Sequence, residues 1–282
     1  MALLLLGYEA LDGKVAVATV NHGLRPEAAA ECALVARQCE RLGVRCDILD
    51  VKVAAGNVQH EARSARYDAL LDWADQRGVG AVATAHHADD QLETILMRLN
   101  RGSGLKGMRG ISRKIWLEGH GTPIVRPLLG FRRTELLRLV ESCGVEFAFD
   151  PSNEDDRFDR ARLRKALADA DWLDPHAIAR SAAYLAEADS TLEAVAGKLW
   201  DRGAEVGADQ VSVPRTNHHD ANARLLVRAG KALGIALAYG EVMGLLKSQL
   251  SRGNSKANVG GALIERREDV FLVRPEPPRR TG

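Results

Sequence analysis

The sequence predicts an α/β fold: a doubly wound, mostly parallel sheet, followed by a smaller, mostly helical domain. Short apolar runs at residues 15–20, 45–53 and 81–85 alternate with longer amphipathic segments. This alternation is typical of a parallel sheet with helices on both faces. Beyond about residue 170, apolar residues recur at helical spacing over long stretches instead. We therefore expect two domains, residues 1–170 and residues 171–282, of which the second ends in a short hairpin.

The elements of the first domain are expected to begin with a helix at about residues 2–11, which has no strand or turn before it. Helices at about residues 26–42 and 58–77 each end at a glycine, the usual residue just beyond a helix. In the second domain, helical stripes span about residues 174–201, 220–233 and 240–250. Residues 262–267 and 270–273 flank a polar turn, and this pattern predicts the hairpin.

The most informative stretch is residues 80–104, GAVATAHHADDQLETILMRLNRGSG. A short buried strand runs into His86 and His87, and Asp89 or Asp90 is placed to cap the helix that follows. The junction of a parallel strand with its helix lies at the sheet edge where ligands bind in open α/β folds. Asp90 and Glu93 are three residues apart, so they share a helix face and could hold a cation together. Any one of these residues is equally well explained as a solvated charge.

Composition excludes several classes of protein. Net charge is only +1 over 282 residues, so a nucleic-acid surface must be a local patch. None of the four cysteines forms a CxxC pair, and this excludes a zinc knuckle and a thiol redox motif. No apolar run approaches the ~18 residues of a membrane span. We expect a cytoplasmic protein with reduced thiols and no membrane partner.

A basic segment at residues 156–165 is open to two interpretations. If it is helical, Arg157, Arg160 and Arg164 fall on one face. They either form a solvated face paired with Asp156 and Asp159, or contact phosphates. From the residues alone, the solvated face is the favoured interpretation.

Five motifs, in this order and spacing, resemble those of the tRNA(Ile)-lysidine synthetase family. They are NHGLRPEAAAE at 21–31, HHADDQLET at 86–94, RGSGLKGM at 101–108, RPLL at 126–129 and DPSN at 150–153. The resemblance covers about residues 1–170 and implies a PP-loop ATP pyrophosphatase fold. It also implies ATP-dependent ligation of L-lysine to C2 of the wobble cytidine of tRNA(Ile) with a CAU anticodon, releasing AMP and pyrophosphate.

The resemblance further implies roles for individual residues. It assigns the catalytic roles to His86, Asp90, Glu93 and Arg101, with Asp90 and Glu93 anchoring the lysine ammonium group. It places Asn21, His22, Arg25 and Arg101 at ATP, and Arg126, Arg157, Arg160 and Arg164 at the tRNA. It also implies that residues 171–282 bind the substrate, the tRNA. Mg²⁺ is expected with the nucleotide rather than at a separate protein-bound metal site. The expected partners are tRNA(Ile), L-lysine and ATP, and the usual oligomer for such a chain is a homodimer.

The sequence departs from the family at two places. The defining Ser-Gly-Gly-x-Asp-Ser loop, which holds pyrophosphate in the family, is absent, and residues 1–6 align with the residues that follow it. We therefore expect that this chain is an N-terminally shortened reading of a normal gene. The test is to express the chain with and without about 25–35 upstream codons and to compare the ATP binding of the two forms. Asn21 stands where the family usually has Asp, so the role of this position is open.

Three alternatives remain open at this point. The first is another PP-loop tRNA-modifying enzyme such as a thiolase, although the paired cysteines common in that group are missing. The second is a non-catalytic tRNA-binding remnant without the phosphate loop. The third is a metallohydrolase using His86, His87, Asp89 and Asp90, although adjacent strand residues point to opposite faces.

Overall fold

A computed structural model describes residues 1–21, 23, 27–51, 58–148, 159–251 and 253–277. The chain divides into two compact units. The first unit comprises Met1–Ser103 and Gly107–Tyr184, and the second comprises Gly104–Lys106 and Leu185–Gly282. The division therefore falls within a long helix rather than at residue 170, where the sequence places it. The assignment of a substrate-binding role to the later residues stays a prediction.

Parallel strand pairs form the framework of the first unit. Strand β1 (Val17–Asn21) pairs with β2 (Cys46–Asp50), and β3 (Val82–Ala83) pairs with β5 (Ile124–Val125), both in parallel. Strand β4 (Lys114–Ile115) lies antiparallel to β5. Among the described residues these strands form two sheets, one of two strands and one of three. The alternation of strands and helices in the sequence thus predicted the kind of pairing correctly.

Helices flank these strands in the order that the sequence predicts. Those of the first unit are α1 (Ala2–Ala10), α2 (Glu27–Arg41), α3 (Val58–Arg77), α4 (Ala88–Asn100), α5 (Leu105–Met108), a 3-10 turn (Pro127–Gly130), α6 (Arg133–Ser142) and α7 (Asp159–Leu167). Tyr67, Leu71 and Ala74 on the inner face of α3 pack against Val82 of β3 and Ile124 of β5. This apolar contact holds α3 against the two strands near the edge at which they end. Burial of each large side chain contributes roughly 1.5–3 kcal/mol to the stability of the contact.

Helix α4 begins at Ala88, two residues earlier than an Asp89 cap would place it and three earlier than an Asp90 cap would. The N-cap is His87, not Asp89 or Asp90, and Asp90 completes a reciprocal capping box with it. The Asp90 carboxylate accepts a hydrogen bond from the His87 backbone N–H at 3.0 Å. The buried residues of α4 lie between Ala88 and Ile95, whereas Leu99 near its end is exposed. The cap locks the start of α4 directly to the end of the β3 segment.

The second unit combines helices with an antiparallel sheet. Helix α8 (Pro175–Gly203) leads into it, and α9 (His219–Ala232) and α10 (Tyr239–Lys247) follow. The sheet has the order β6-β7-β10-β9-β8, with β6 at Glu205–Val206, β7 at Val211–Pro214, β8 at Ser255–Val259, β9 at Ala262–Arg266 and β10 at Val270–Pro275. The predicted hairpin is β9–β10, and its register places Leu272 opposite Glu265. No described helix is both long and apolar enough to cross a bilayer.

Candidate active site at the ends of β3 and β5

The parallel pairing of β3 and β5 brings two polar segments of the sequence to one sheet edge. The register pairs Ala83 with Val125, and the Thr84 backbone N–H donates to the Val125 carbonyl at 2.9 Å. Thr84 and Arg126 are therefore the next residues along two adjacent strands, and His86 follows Thr84 within two residues. This is the carboxyl edge of parallel strands, where ligands bind in open α/β folds.

His86 lies at this edge as a neutral imidazole. Its Nδ1 atom is 3.1 Å from the Thr84 hydroxyl. The pKa of His86 is lowered to about 4. Burial is the main cause, and the positive charges of Arg126, Arg63 and Arg66 add to it, while the charge of Asp90 opposes them. At neutral pH the imidazole therefore carries no charge. It can donate or accept a hydrogen bond, but it does not hold a second proton.

Asp90 and Glu93 share a cation, as their spacing suggested, and in this structure the cation belongs to the chain itself. Arg164 of α7 donates to both oxygens of Glu93, from Nε at 2.5 Å and from Nη2 at 3.1 Å. Its Nη2 also lies 3.8 Å from Asp90 Oδ1. Glu93 is only 3% exposed. Burial alone would lower the pKa of Arg164, but the hydrogen bonds and charges of Glu93 and Asp90 raise it.

The other arginines assigned from the resemblance have different surroundings. Arg160 of α7 donates to the Thr94 hydroxyl on α4 at 3.2 Å. Arg101 is exposed, and its partner within the described part of the chain is Asp159, at 3.4 Å. Arg157 lies outside the described residues. Helix α7 therefore docks two of its basic side chains on α4, so a fully solvated basic face is not what the structure shows.

Asn21 ends β1 beside Asp50 at the end of β2. Its Nδ2 donates to Asp50 Oδ1 at 2.9 Å, and its Oδ1 accepts from the Gly23 N–H at 3.1 Å. An aspartate here would set two carboxylates against each other, so the amide suits this position. His22 and Arg25 lie outside the described residues. Their assignment to ATP stays a prediction.

Two side chains of α4 hold the loop that follows the RGSGLKGM motif. Gln91 accepts from the Ile111 N–H at 2.5 Å and donates to the Ile111 carbonyl at 2.9 Å. Arg98 donates to the carbonyls of Gly107 and Gly110 at 2.6 and 3.0 Å. Gly110 has a φ of +65°, and a Cβ there would collide with the Gln91 amide. The glycines of this segment are visible in the sequence, but their partners on α4 are not.

Sequence reasoning also missed the environment of Arg126. It was assigned to tRNA contact, yet it is only 4% exposed and donates from Nη1 to the Ser112 carbonyl at 2.7 Å. A buried guanidinium after a short β-strand has no distinctive sequence signal. Within the described ranges, no group of three or more His, Cys, Asp or Glu side chains is placed to hold a metal ion.

The chain is similar in sequence to a family of known proteins. A family profile described as a PP-loop domain matches residues 1–170. A tRNA(Ile)-lysidine synthase from Novosphingobium aromaticivorans is 46% identical over 237 residues, covering 83% of this chain and 73% of that protein. One from Methylobacterium nodulans is 37% identical over 291 residues, covering 95% and 84%.

A solved structure is similar in fold at low sequence identity. It is the U34-tRNA thiolase NcsA from Methanococcus maripaludis with its [4Fe-4S] cluster. The TM-score is 0.54 and the identity 16%, with 66% of this chain and 68% of that chain covered. Likeness at this identity supports the doubly wound α/β fold predicted for the first domain, and it supports nothing about the reaction.

Proposed function

The chain belongs to the tRNA(Ile)-lysidine synthase family of PP-loop proteins, and on that premise we propose that it ligates L-lysine to a tRNA. The proposed substrate base is the wobble cytidine of tRNA(Ile) with a CAU anticodon. Its C2 oxygen attacks the α-phosphorus of ATP and pyrophosphate leaves. The lysine ε-amine then forms the C2–N bond, the C2–O bond breaks, AMP leaves and the amine loses its proton.

The observation that carries this proposal is the extent of the match to proteins of that name. The identity of 46% spans most of both chains. The proximity of three motif residues of the first unit also supports the proposal. His86, Asp90 and Glu93 lie within eight residues of one another along the end of β3 and the first turns of α4. This is the edge of a parallel sheet at which ligands bind in open α/β folds.

We propose that Asp90 and Glu93 anchor the lysine ammonium group. They already bind one cation, Arg164, so their charge and spacing suit another. The two acids are not equivalent. Arg164 holds Glu93 through two hydrogen bonds, whereas it lies 3.8 Å from Asp90 Oδ1, and only the other oxygen of Asp90 accepts from the His87 N–H. Asp90 is therefore the more accessible acid and the better candidate to accept a proton from the amine.

His86 and Arg101 are proposed to act on the base and the phosphates. A neutral imidazole suits a hydrogen bond to the reacting base but not the storage of a proton at neutral pH. The side chain of Arg101 is 64% exposed, and its 3.4 Å contact with Asp159 costs little to break. It can therefore turn towards a phosphate and bind it through two nitrogens.

The remaining assignments are part of the same proposal. Mg²⁺ accompanies ATP, the arginines named above contact the tRNA, and the later residues of the chain form a tRNA-binding domain. A cytoplasmic location and a homodimer complete the proposal. Each of these follows from the resemblance and the family, and each is separately testable.

The experiment is an assay of lysine incorporation into a tRNA(Ile) transcript with a CAU anticodon. The expected result is AMP formation that requires both lysine and the transcript. The matched control is the same transcript with its wobble cytidine replaced by uridine, which should give none. Tight tRNA binding without AMP formation would favour a non-catalytic tRNA-binding protein. Sulfur transfer without any lysine requirement would favour another class of tRNA-modifying enzyme.

A further inference from the structure

We propose that Arg126, together with Arg63, Arg66 and Arg160, forms a subsite for a phosphate group beside His86. Only the source of that phosphate, a nucleotide or an RNA backbone, rests on the proposed function. The subsite differs from the acidic pair of Asp90 and Glu93, which binds cations. Its members come from α3, the end of β5 and α7, all within the first unit.

Arg126 provides the first observation. It follows β5 directly, opposite Thr84, whose hydroxyl is 3.1 Å from His86 Nδ1. The residue is 4% exposed, and its Nε atom is buried with no hydrogen-bond partner among the described residues. Leaving a charged donor buried and unpaired is costly, because the group has lost water without gaining an acceptor. An arriving oxyanion would supply that acceptor.

Arg63 and Arg66 provide the second observation, from the facing helix α3. Both guanidinium groups lie over the ring of Tyr67, at 5.0 and 5.7 Å from its centroid. Arg63 also donates from Nη2 to the Tyr67 hydroxyl at 3.2 Å. The buried ring therefore holds two positive charges close together. Contact with an aromatic face orients a guanidinium without neutralising it.

The electrostatics tie these groups into one cluster. Loss of water lowers the pKa of Arg63, Tyr67 opposes that effect, and the charges of Arg66, Arg126 and Arg160 lower the pKa further. The same Arg126, Arg63 and Arg66 lower the pKa of His86. These cations therefore repel one another and act on one imidazole. Concentrating like charge in this way is unfavourable unless an anion binds between them.

No described carboxylate forms an ion pair with Arg63, Arg66 or Arg126. Asp90 is the one acid that acts on His86 from nearby, but its oxygens already face the His87 N–H and Arg164. Four guanidinium groups exceed what a single carboxylate ligand could neutralise. A phosphate has more oxygens and accepts paired hydrogen bonds from several arginines at once, so it is the ligand this cluster fits.

The test is calorimetric binding of inorganic pyrophosphate to the whole chain at low salt. Replacing the exposed pair, in R63Q/R66Q, is expected to raise the Kd about tenfold or more, since each lost charge-assisted hydrogen bond is worth about tenfold. R126Q is expected to do the same. The matched control R180Q removes an exposed charge on α8 and should change the Kd less than about twofold.

The outcomes separate the subsite from the proposed function. Wild-type binding that R63Q/R66Q leaves unchanged would overturn the subsite even if R126Q fails to fold, because the exposed pair is not needed for packing. Absence of pyrophosphate binding to the wild-type chain would also overturn it. If pyrophosphate binds as expected while lysine incorporation is absent, the subsite stands and the proposed function falls.

A second arm identifies the phosphate. Binding of ATP and of a tRNA(Ile) anticodon stem–loop is measured with the wild type, R63Q/R66Q and R180Q. Weaker ATP binding alone assigns the subsite to the nucleotide. Weaker RNA binding alone, with a shallower salt dependence, assigns it to the backbone of the RNA. If the R63Q/R66Q variant binds both as the wild type does, the proposal is wrong.

Discussion

Two buried arginines, one in each unit, have opposite surroundings. Arg224 in the second unit is 2% exposed and donates to three carboxylates, those of Asp189, Glu193 and Asp220, at 2.6, 2.7 and 2.7 Å. Arg126 in the first unit is as deeply buried, at 4% exposed. Among the described residues, it has one carbonyl partner and an Nε atom without a partner.

The partners of a buried arginine indicate whether it serves the packing of the unit or a ligand. The hydrogen bonds and charges of Asp220 and Asp189 raise the pKa of Arg224, although burial alone would lower it. The Tyr239 hydroxyl also donates to Asp220, which completes the network. A charge satisfied in this way belongs to the packing of the unit. A buried charge without an acid indicates that its counter-ion comes from a ligand.

The largest expected effect is that of removing Arg224. R224M leaves Asp189 buried without its cation, and the free energy of unfolding should fall by about 3–5 kcal/mol. The measurement is urea unfolding followed by circular dichroism. The control R228Q removes a half-exposed partner of Glu193 and should cost less than about 1 kcal/mol. Equal losses in the two variants would contradict the structural role assigned to Arg224.

A smaller loss is expected at the contact between α4 and α7. E93Q removes the carboxylate that Arg164 holds through two hydrogen bonds, and should cost about 2 kcal/mol because it leaves a guanidinium poorly paired. The double variant E93Q/R164Q should recover part of that loss, which a double-mutant cycle measures. R162Q, whose partner is the exposed Asp159, is the control and should be near neutral.

The pH dependence of stability should depend on His86. Its folded pKa of about 4 is below its ordinary value of 6.5, so the unfolded chain takes up a proton first as the pH falls. Above pH 6.5 His86 is neutral in both states, and the free energy of unfolding is at its full value. Between pH 6.5 and 4 it should fall by about 1–2 kcal/mol, the amount expected for a partly exposed group. In H86Q the free energy of unfolding should vary less with pH across that range. An unchanged slope would show that His86 is not the group responsible.

The smallest effect on stability is expected from removing Arg126. R126Q deprives no carboxylate of its partner and loses mainly the hydrogen bond to Ser112, so it should cost no more than about 1 kcal/mol. Removing this cation should also raise the pKa of His86, as followed by NMR titration of the imidazole. A loss as large as that for R224M would indicate an internal role and remove the contrast between the two arginines.

Local pattern predicted much of the fold and of the acidic site. The apolar run before His86 and the helical spacing after it correctly predicted β3 and α4, since both signals lie within one stretch. The three-residue spacing of Asp90 and Glu93 also indicated a shared cation. The cation itself could not be predicted, because Arg164 is 71 residues further along the chain than Glu93 and no spacing rule connects them.

The proposed phosphate subsite and part of the second sheet escaped prediction for similar reasons. Arg63, Arg126 and Arg160 lie on three separate elements. The resemblance assigned Arg126 and Arg160 to the tRNA, but no local pattern connected either of them with Arg63 or with His86. Strand β8 reads Ser-Lys-Ala-Asn-Val, in which only Ala257 is buried. Such a strand is specified by its antiparallel partner β9 rather than by its own alternation.

The Arg164 contact has a consequence for how an amine could reach the acids of α4. His86, Asp90 and Glu93 share one rigid segment, while Arg164 arrives from a different helix. An amine that takes the place of Arg164 would exchange one positive charge for another, leaving the local charge balance unchanged. Such an exchange would depend on how well the amine fits between the two acids and on how readily α7 shifts. Selection among amines would therefore depend on their length and shape.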